Sequence, residues 1–309
     1  MDKIIAVCGT TGSGKSALAV ELAKRYNGEI VSCDSMQIYK YMDIGTAKPT
    51  EDELAAVPHH MIDVITPDEN YSLADFCAAA DGCIEDIRGR GKTVVLCGGT
   101  GLYMDAVINR MSFDENGGDE EYREELKKAA AERGNAALHD MLRELDPEAA
   151  GRIHPNNVKR VIRTLEILRT SKSKREHDEK ALGVPRDVLY VGVTYKDRGK
   201  LYAAVDARVD KMFESGLPDE VRTLAEKGYL DKDSTAGQAI GYKEFFLGLP
   251  ADGVKEEIKK STRRYAKRQL TWLNRNQAIH WFYTDAYGGT AELCDAVSKL
   301  IDGVKGQKD

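Results

Sequence analysis

Short, nearly unbroken apolar runs mark the first hundred residues, at 4–8, 29–33 and 93–97, and each is bounded by glycine or polar punctuation. Runs of that length without alternation predict strands buried on both faces, as in a parallel sheet. Between them the apolar period lengthens to that of helices, over residues 15–26 and from about 73 to 90. Ser72, with Asp75 three residues on, starts the second helix in the manner of a capping box, and Gly91 stops it. Strand–helix alternation of this kind predicts a parallel α/β sheet covered by helices on both sides.

From about residue 114 the pattern changes. Helical periods run over 120–133, 135–145 and 156–169, interrupted by Gly117-Gly118, Gly134 and Pro147, and no strand pattern appears. The very polar stretch 170–180 reads as a mobile loop. Residues 188–194 restore a strand and 279–284 supply a last one. The expected organisation is an α/β core formed by residues 1–113 and 196–309, interrupted by a helical insertion domain at 114–195.

Composition refines this picture modestly. With 309 residues, 42% of them hydrophobic and 31% charged, the chain can bury a sizeable core, which excludes wholesale disorder. No apolar run approaches the ~20 residues of a membrane helix, and residues 4–8 read as a strand and not as part of a secretory leader. The six cysteines, at 8, 33, 77, 83, 97 and 294, form no CxxC pair, which suits reduced thiols in the cytoplasm and no zinc site. A net charge of −6 argues, taken whole, against a nucleic-acid binder. It is unevenly spread. Seven acidic residues lie between 114 and 125, read as a solvated face and not as a metal site, and seven basic ones lie between 259 and 275 without a single acid.

The strongest chemical signal is Gly9-Thr10-Thr11-Gly12-Ser13-Gly14-Lys15-Ser16, a full match to G-x-x-x-x-G-K-[ST] between a predicted strand and a predicted helix. Its glycines allow a tight turn whose N–H groups converge on phosphate oxygens. Lys15 adds charge, and the Ser16 hydroxyl can hold Mg²⁺. The core is therefore expected to be P-loop NTPase-like, with a diphosphate or triphosphate ligand. The strand at 93–97 ends in Gly98-Gly99-Thr100, with no carboxylate to support a metal as in energy-coupling ATPases, and no guanine-recognition run is present. The second strand leads to Asp34. At the carboxyl end of a parallel sheet this side chain faces the phosphate crevice, where it can take a proton from a nucleophile or cap the next turn.

Several further segments occur in order: Asp34-Ser35-Met36-Gln37-Ile38-Tyr39, Met42-Asp43-Ile44-Gly45-Thr46-Ala47-Lys48-Pro49, Pro58-His59-His60, Gly98-Gly99-Thr100-Gly101-Leu102-Tyr103 and Arg268-Gln269-Leu270-Thr271-Trp272-Leu273. With the P-loop they resemble the tRNA dimethylallyltransferase, or isopentenyl-diphosphate:tRNA transferase, family over nearly the whole chain. The resemblance implies transfer of a dimethylallyl group from its diphosphate to N6 of the adenosine 3′ of the tRNA anticodon (position 37), with diphosphate released. It implies that Gly9–Ser16 grips the donor diphosphate, with Mg²⁺ at Ser16. Asp34 matches the general base, and Thr100 a residue orienting acceptor or diphosphate, its alternative being a helix cap. Arg222 matches an arginine near the diphosphate, its alternative being a solvated helix charge. His59 matches the Pro-His position, where a loop or capping histidine is the other reading.

For the RNA, the same resemblance places Asp34, Ser35, Met36 and Gln37, with Thr100, at the flipped base. It assigns Arg123, Lys159, Arg160, Val161, Ile162, Arg163 and the loop from Gln238 to Lys243 to the anticodon stem-loop. The basic helix agrees with this independently. Lys259, Arg263, Lys267 and Lys260, Arg264, Arg268 form two adjacent i, i+4 rows, and such like-charge repulsion suits a phosphate partner as well as plain solvation. Arg264 and Arg268 join the expected RNA contacts, whereas Tyr265 and Trp272 read as core-facing. The chain departs from the family pattern at Thr10 and over 170–175. A P-loop nucleoside-type kinase and a non-enzymatic RNA-binding protein are the competing readings, and a monomer without membrane contact is expected.

Overall fold

The computed structural model describes residues 3–113 and 119–305. Its sheet contains β1 (Ile4–Gly9), β2 (Gly28–Ser32), β3 (His59–His60), β4 (Thr93–Gly98), β5 (Val188–Thr194) and β6 (His280–Tyr283). All pairs are parallel, in the order β3-β2-β4-β1-β5-β6. β1, β2 and β4 are buried at every position, which is why they read as continuous apolar runs without alternation. β4 lies between β1 and β2, so the chain ends leaving β1, β2 and β4 converge on one edge of the sheet.

The helices up to residue 108 are α1 (Lys15–Arg25), α2 (Glu51–Ala56), α3 (Leu73–Gly89) and α4 (Gly101–Ile108). The expected capping box is present at α3: the Ser72 hydroxyl accepts the Asp75 N–H, and the Asp75 carboxylate accepts the Ser72 N–H at 2.9 Å. α1 buries Leu18, Ala19, Leu22 and Ala23 against Ile5, Val7, Val95 and Val191 of the sheet. Each large aliphatic side chain there contributes about 1.5–3 kcal/mol of burial.

The middle of the chain holds α5 (Glu120–Leu145), α6 (Pro147–Arg152), α7 (Val158–Leu168) and α8 (Lys174–Ala181). Residues 109–185 form a compact unit of their own, and residues 3–108 with 186–305 form the other. The division therefore falls at 109 and 185, in place of the expected 114 and 195. β5 pairs with β1 from Val188 to Val193 and belongs to the core sheet. The helical unit packs around Leu126, Leu138, Leu142, Val161, Ile162 and Leu165. Gly134, at φ 84°, kinks α5 where the sequence pattern predicts two separate helices.

The stretch 170–180 is not a loop throughout. Ser173 caps α8 by accepting the Glu176 N–H, and the pairs Lys174–Asp178, Arg175–Glu179 and Glu176–Lys180 span successive turns. Such a helix has almost no apolar stripe and so escapes a reading by periodicity. Of the acidic run, residues 114–118 lie outside the described residues. Asp119 caps α5 and pairs with Arg169, Glu120 pairs with Arg123, and Glu124 with Lys127.

The core closes with α9 (Arg198–Glu214), α10 (Leu217–Glu226), α11 (Ala251–Leu273) and α12 (Thr290–Lys305). No helix among the described residues is long and apolar enough to cross a membrane. All six cysteines are free thiols, five of them buried.

Candidate active site

β1 delivers the P-loop to the carboxyl edge of the sheet. Gly12 and Gly14 sit at φ 77° and 84°, the left-handed region in which a side chain is strained, and Gly14 opens α1. The loop is held from three sides. The Ser13 hydroxyl donates to Thr10 O at 2.8 Å, and Thr10 Oγ1 lies 3.3 Å from Thr194 Oγ1. The Thr284 hydroxyl donates to Ser13 O at 2.7 Å, and Gln269 accepts the Thr11 N–H.

A cavity of about 300 Å³ opens in front of the loop, within the α/β core. That size falls in the range of small-molecule sites. Thr11, Lys15 and Ser16 line it from the P-loop side, Asp34–Gln37 from the end of β2, and Cys97 and Gly98 from the end of β4. Gly45–Ala47 and 238–241 with Lys243 form another wall, and Arg208, Tyr265, Arg268 and Gln269 come from α9 and α11. Burial lowers the Lys15 ammonium below the ordinary lysine range; the Arg208 charge acts the same way and Asp34 opposes it. Burial likewise pulls the Arg208 guanidinium down, with Asp34 as the offsetting charge. The Arg208 Nε is buried without a hydrogen-bond partner. Two inward cations thus face a single carboxylate, an arrangement that an incoming polyanion would neutralise.

Asp34 lines the cavity and caps the turn that follows β2. Its Oδ1 accepts the Met36 N–H at 2.9 Å, capping the turn, while Oδ2 has no hydrogen-bond partner among the described residues. Thr100 does not cap α4 with its hydroxyl. Thr100 Oγ1 instead lies 3.5 Å from the Ser35 N–H and 3.5 Å from the Tyr265 hydroxyl, behind two residues that line the cavity. Gln37 braces its own loop, accepting from Ser32 Oγ at 2.8 Å and donating to Ala47 O at 3.1 Å. His59, on β3, lines the cavity, its Nδ1 sits 2.8 Å from Val57 O, and burial holds it below the usual histidine range.

Other expected residues lie elsewhere. Arg222 is exposed on α10 and pairs with Asp219 at 2.5 Å, outside the cavity. The inward arginine is Arg208. Its signal in the sequence is a charge on the apolar stripe Leu201, Val205, Val209, which a structural helix would leave apolar. Tyr265 lines the cavity, contrary to the core-facing expectation, while Trp272 packs inward and donates to Asp105 at 2.7 Å. In the helical unit Val161 and Ile162 are core residues, because α7 turns its i, i+3/i+4 apolar face inward, so neither side chain is offered to RNA. Lys159, Arg160 and Arg163 are exposed. Arg123 is committed to Glu166 at 2.9 Å and to Glu120 at 2.6 Å.

The two basic rows of α11 also divide. Lys259 pairs with Asp210 at 2.8 Å, Arg263 binds both oxygens of Asp206, and Lys260 pairs with Glu257. Arg264, Lys267 and Arg268 are exposed with no ion pair among the described residues, and Arg268 lies 5.6 Å over the Tyr265 ring. Gln238 stands at the cavity rim, exposed, with its amide on Lys232 O, and Lys243 is half-buried in the wall.

A P-loop on a parallel sheet, with Asp34 across the crevice, places the protein in the P-loop class of phosphate-binding α/β proteins. An IPP transferase family model matches residues 37–276, and an isopentenyl transferase model matches residues 2–65. The tRNA dimethylallyltransferase of Caldanaerobacter subterraneus subsp. tengcongensis is 44% identical over 97% of this chain and 98% of its own. That of Acetivibrio thermocellus is 45% identical over 99% and 97%. The crystal structure of the full-length tRNA isopentenylpyrophosphate transferase from Bacillus halodurans superposes with a TM-score of 0.71 at 40% identity, covering both chains completely. A eukaryotic dimethylallyltransferase captured acting on tRNA gives 0.79 at 30% identity, over 92% of this chain and 74% of that one. The chain belongs to the tRNA dimethylallyltransferase family.

Proposed function

We propose that the protein transfers the dimethylallyl group of dimethylallyl diphosphate to N6 of the adenosine at position 37, beside the tRNA anticodon, and releases diphosphate. The observation that carries this reading is the pairing, across one cavity, of inward Lys15 and Arg208 with the unpartnered oxygen of Asp34. In the proposed step the donor C1–O bond breaks and its electron pair leaves with the diphosphate. The N6 lone pair forms the new N–C1 bond, and an N6 proton passes to Asp34. Lys15, Arg208 and the free P-loop amides stabilise the charge that develops on the leaving oxygens. A stacked adenosine cannot reach Asp34, so the base is taken out of its stack. Tyr265, with a phenol that burial keeps protonated, and Met36 offer surfaces against which its ring can rest.

Mg²⁺ fits this donor set. Ser16 presents a hydroxyl at the start of α1 inside the cavity, and hard oxygen donors shared with phosphates and water are what that ion prefers. Bound there through Ser16, it would supply charge neutralisation to the leaving diphosphate. The exposed cations Arg264, Lys267 and Arg268, with Lys159, Arg160 and Arg163, are the proposed contacts to the RNA backbone. The proposed location is the cytoplasm, where tRNA is matured, and a monomer suffices for the site.

The test is incubation with radiolabelled dimethylallyl diphosphate, Mg²⁺ and unmodified tRNA. Label in adenosine 37 is expected. Phosphorylation of a nucleoside by ATP with no label in RNA would favour the kinase reading instead.

A further inference from the structure

Glu220 lies in the first turn of α10 and is not among the residues that line the cavity. Its Oε2 accepts the N–H groups of Asp43 at 2.9 Å and Ile44 at 2.7 Å. Its Oε1 accepts the Gly45 N–H at 3.1 Å and the Tyr242 hydroxyl at 2.7 Å. Three successive backbone donors and a phenol thus converge on one carboxylate, in charge-assisted bonds about twice as strong as neutral ones. Tyr242 is fully buried, and its ring packs so closely on Gly45 that a Cβ there would stand 2.5 Å from ring carbon. Gly241, at φ 99°, brings the second loop against the same glycine.

Both segments joined in this way line the cavity, Gly45–Ala47 on one side and Gln238–Gly241 with Lys243 on the other. The first continues to the neighbourhood of Asp34. Thr46 O and Ala47 O accept the Gln37 amide at 3.4 and 3.1 Å, and Lys48 ties the loop back to Tyr39 O and Asp63. The P-loop end of the cavity is braced separately, by Gln269 and Thr284. Among the described residues, the hydrogen bonds of Glu220 go to Asp43, Ile44, Gly45 and Tyr242, and to neither the P-loop nor Asp34.

We propose that Glu220 is a positioning residue for the RNA acceptor, holding through Asp43–Gly45 and Tyr242 the wall against which the target adenosine is placed. This rests on the transferase reading above. Replacing Glu220 by glutamine turns an N–H donor toward donors already present, either those of Asp43 and Ile44 or that of Gly45. Tyr242→Phe keeps the ring on Gly45 and removes only the hydroxyl.

The test measures full-length wild type, Glu220→Gln and Tyr242→Phe in three ways. These are steady-state kinetics with tRNA and donor varied in turn, calorimetric binding of inorganic diphosphate with Mg²⁺, and amide hydrogen exchange over residues 43–45. Expected for Glu220→Gln are an about 10- to 100-fold loss of kcat/KM for tRNA, as small misplacement at a reacting centre gives, and faster exchange at 43–45. Tyr242→Phe should show the same pattern more weakly. Diphosphate affinity should stay within about twofold of wild type in both. The proposal is overturned if both variants keep wild-type kcat/KM for tRNA, or if diphosphate affinity falls in step with it, as a general loss of structure would cause. A wild-type protein that transfers no label rejects the transferase reading instead; the exchange at 43–45 still reads the clamp.

Discussion

Gln269, buried near the C-terminal end of α11, accepts the Thr11 N–H of the P-loop at 2.8 Å. Its amide nitrogen donates to Gly99 O at 3.0 Å, so a single side chain ties the loop after β1 to the loop after β4. A Cβ on Gly99 would stand 2.2 Å from that nitrogen, so a larger residue there would displace the Gln269 amide from its bonds. Gln269→Leu strands a buried donor and a buried acceptor, each costing about 1–3 kcal/mol. The expected result is a loss of about 2–4 kcal/mol in urea denaturation, together with weaker diphosphate binding by calorimetry. Unchanged diphosphate affinity would separate the P-loop from this brace.

Asp34→Asn is nearly isosteric and can still accept the Met36 N–H, so the turn at 34–36 should persist. Its capacity to take a proton disappears. Single-turnover transfer to tRNA should fall by about 10²- to 10⁴-fold, the usual contribution of a general base. Diphosphate affinity should change little, and a normal transfer rate would remove Asp34 from the proton's path.

The arginines distinguish two views of the phosphate end. Arg208→Ala removes a buried guanidinium with an unpartnered nitrogen, and a charge-assisted hydrogen bond contributes about 1.5–3 kcal/mol. Diphosphate binding should weaken by about 10- to 100-fold in titration calorimetry. Arg222→Ala removes an exposed side chain paired only within its own helix, so binding and stability should both stay within about 0.5 kcal/mol of wild type. The reverse outcome would restore Arg222 to the site.

The contrast between these arginines shows how far residue order alone carries. β1, β4 and β5, the P-loop and the capping box at Ser72 announce themselves locally, because their buried faces or caps are written within a few neighbouring residues. Arg208, Glu220 and Gln269 do not. Their partners lie far along the chain, such as Asp34 for Arg208 and Thr11 for Gln269, and only the sheet order brings them together. α8 is hidden for another reason: its stability rests on a cap and on ion pairs, not on an apolar stripe. Val161 and Ile162 stand inside a basic segment that reads as one surface, yet the helical turn carries them to the inner face.

Glu29 ties the stability of the core to pH on the acid side. It is buried at the start of β2 and accepts from Arg90, Lys92 and His60 at 2.5–2.8 Å. Arg90 above all holds its carboxyl well below the usual carboxylate range, with burial opposing. Because the folded value lies below the unfolded one, the unfolded chain takes up the proton first as pH falls. The stabilisation is complete above the ordinary value of 4.5 and is lost as pH drops below it. Glu29→Gln should cost about 1.5–3 kcal/mol at neutral pH, the range of a charge-assisted hydrogen bond, because Arg90 and Lys92 remain partly exposed to water. It should also flatten the fall in melting temperature on the acid side. A variant that melts with the wild-type acid profile would assign that dependence to other groups.

On α11 the cations separate into two kinds with different expected phenotypes. Lys259 and Arg263 face Asp210 and Asp206 of α9, so alanine at either should lower the melting temperature and leave the salt dependence of RNA binding nearly intact. Arg264 and Lys267 are exposed without ion pairs among the described residues, and the like charges one turn apart repel one another in the free protein. A phosphate backbone relieves that repulsion and releases counterions. Removing one phosphate-bound cation should therefore reduce the slope of log K against log salt by about 0.7–0.9. Arg264→Ala with Lys267→Ala is expected to lower the slope measured by fluorescence titration of tRNA by about 1–2, with little change in melting. An unchanged slope in that double variant, alongside a reduced slope in Lys259→Ala, would place the RNA on the opposite face of the helix.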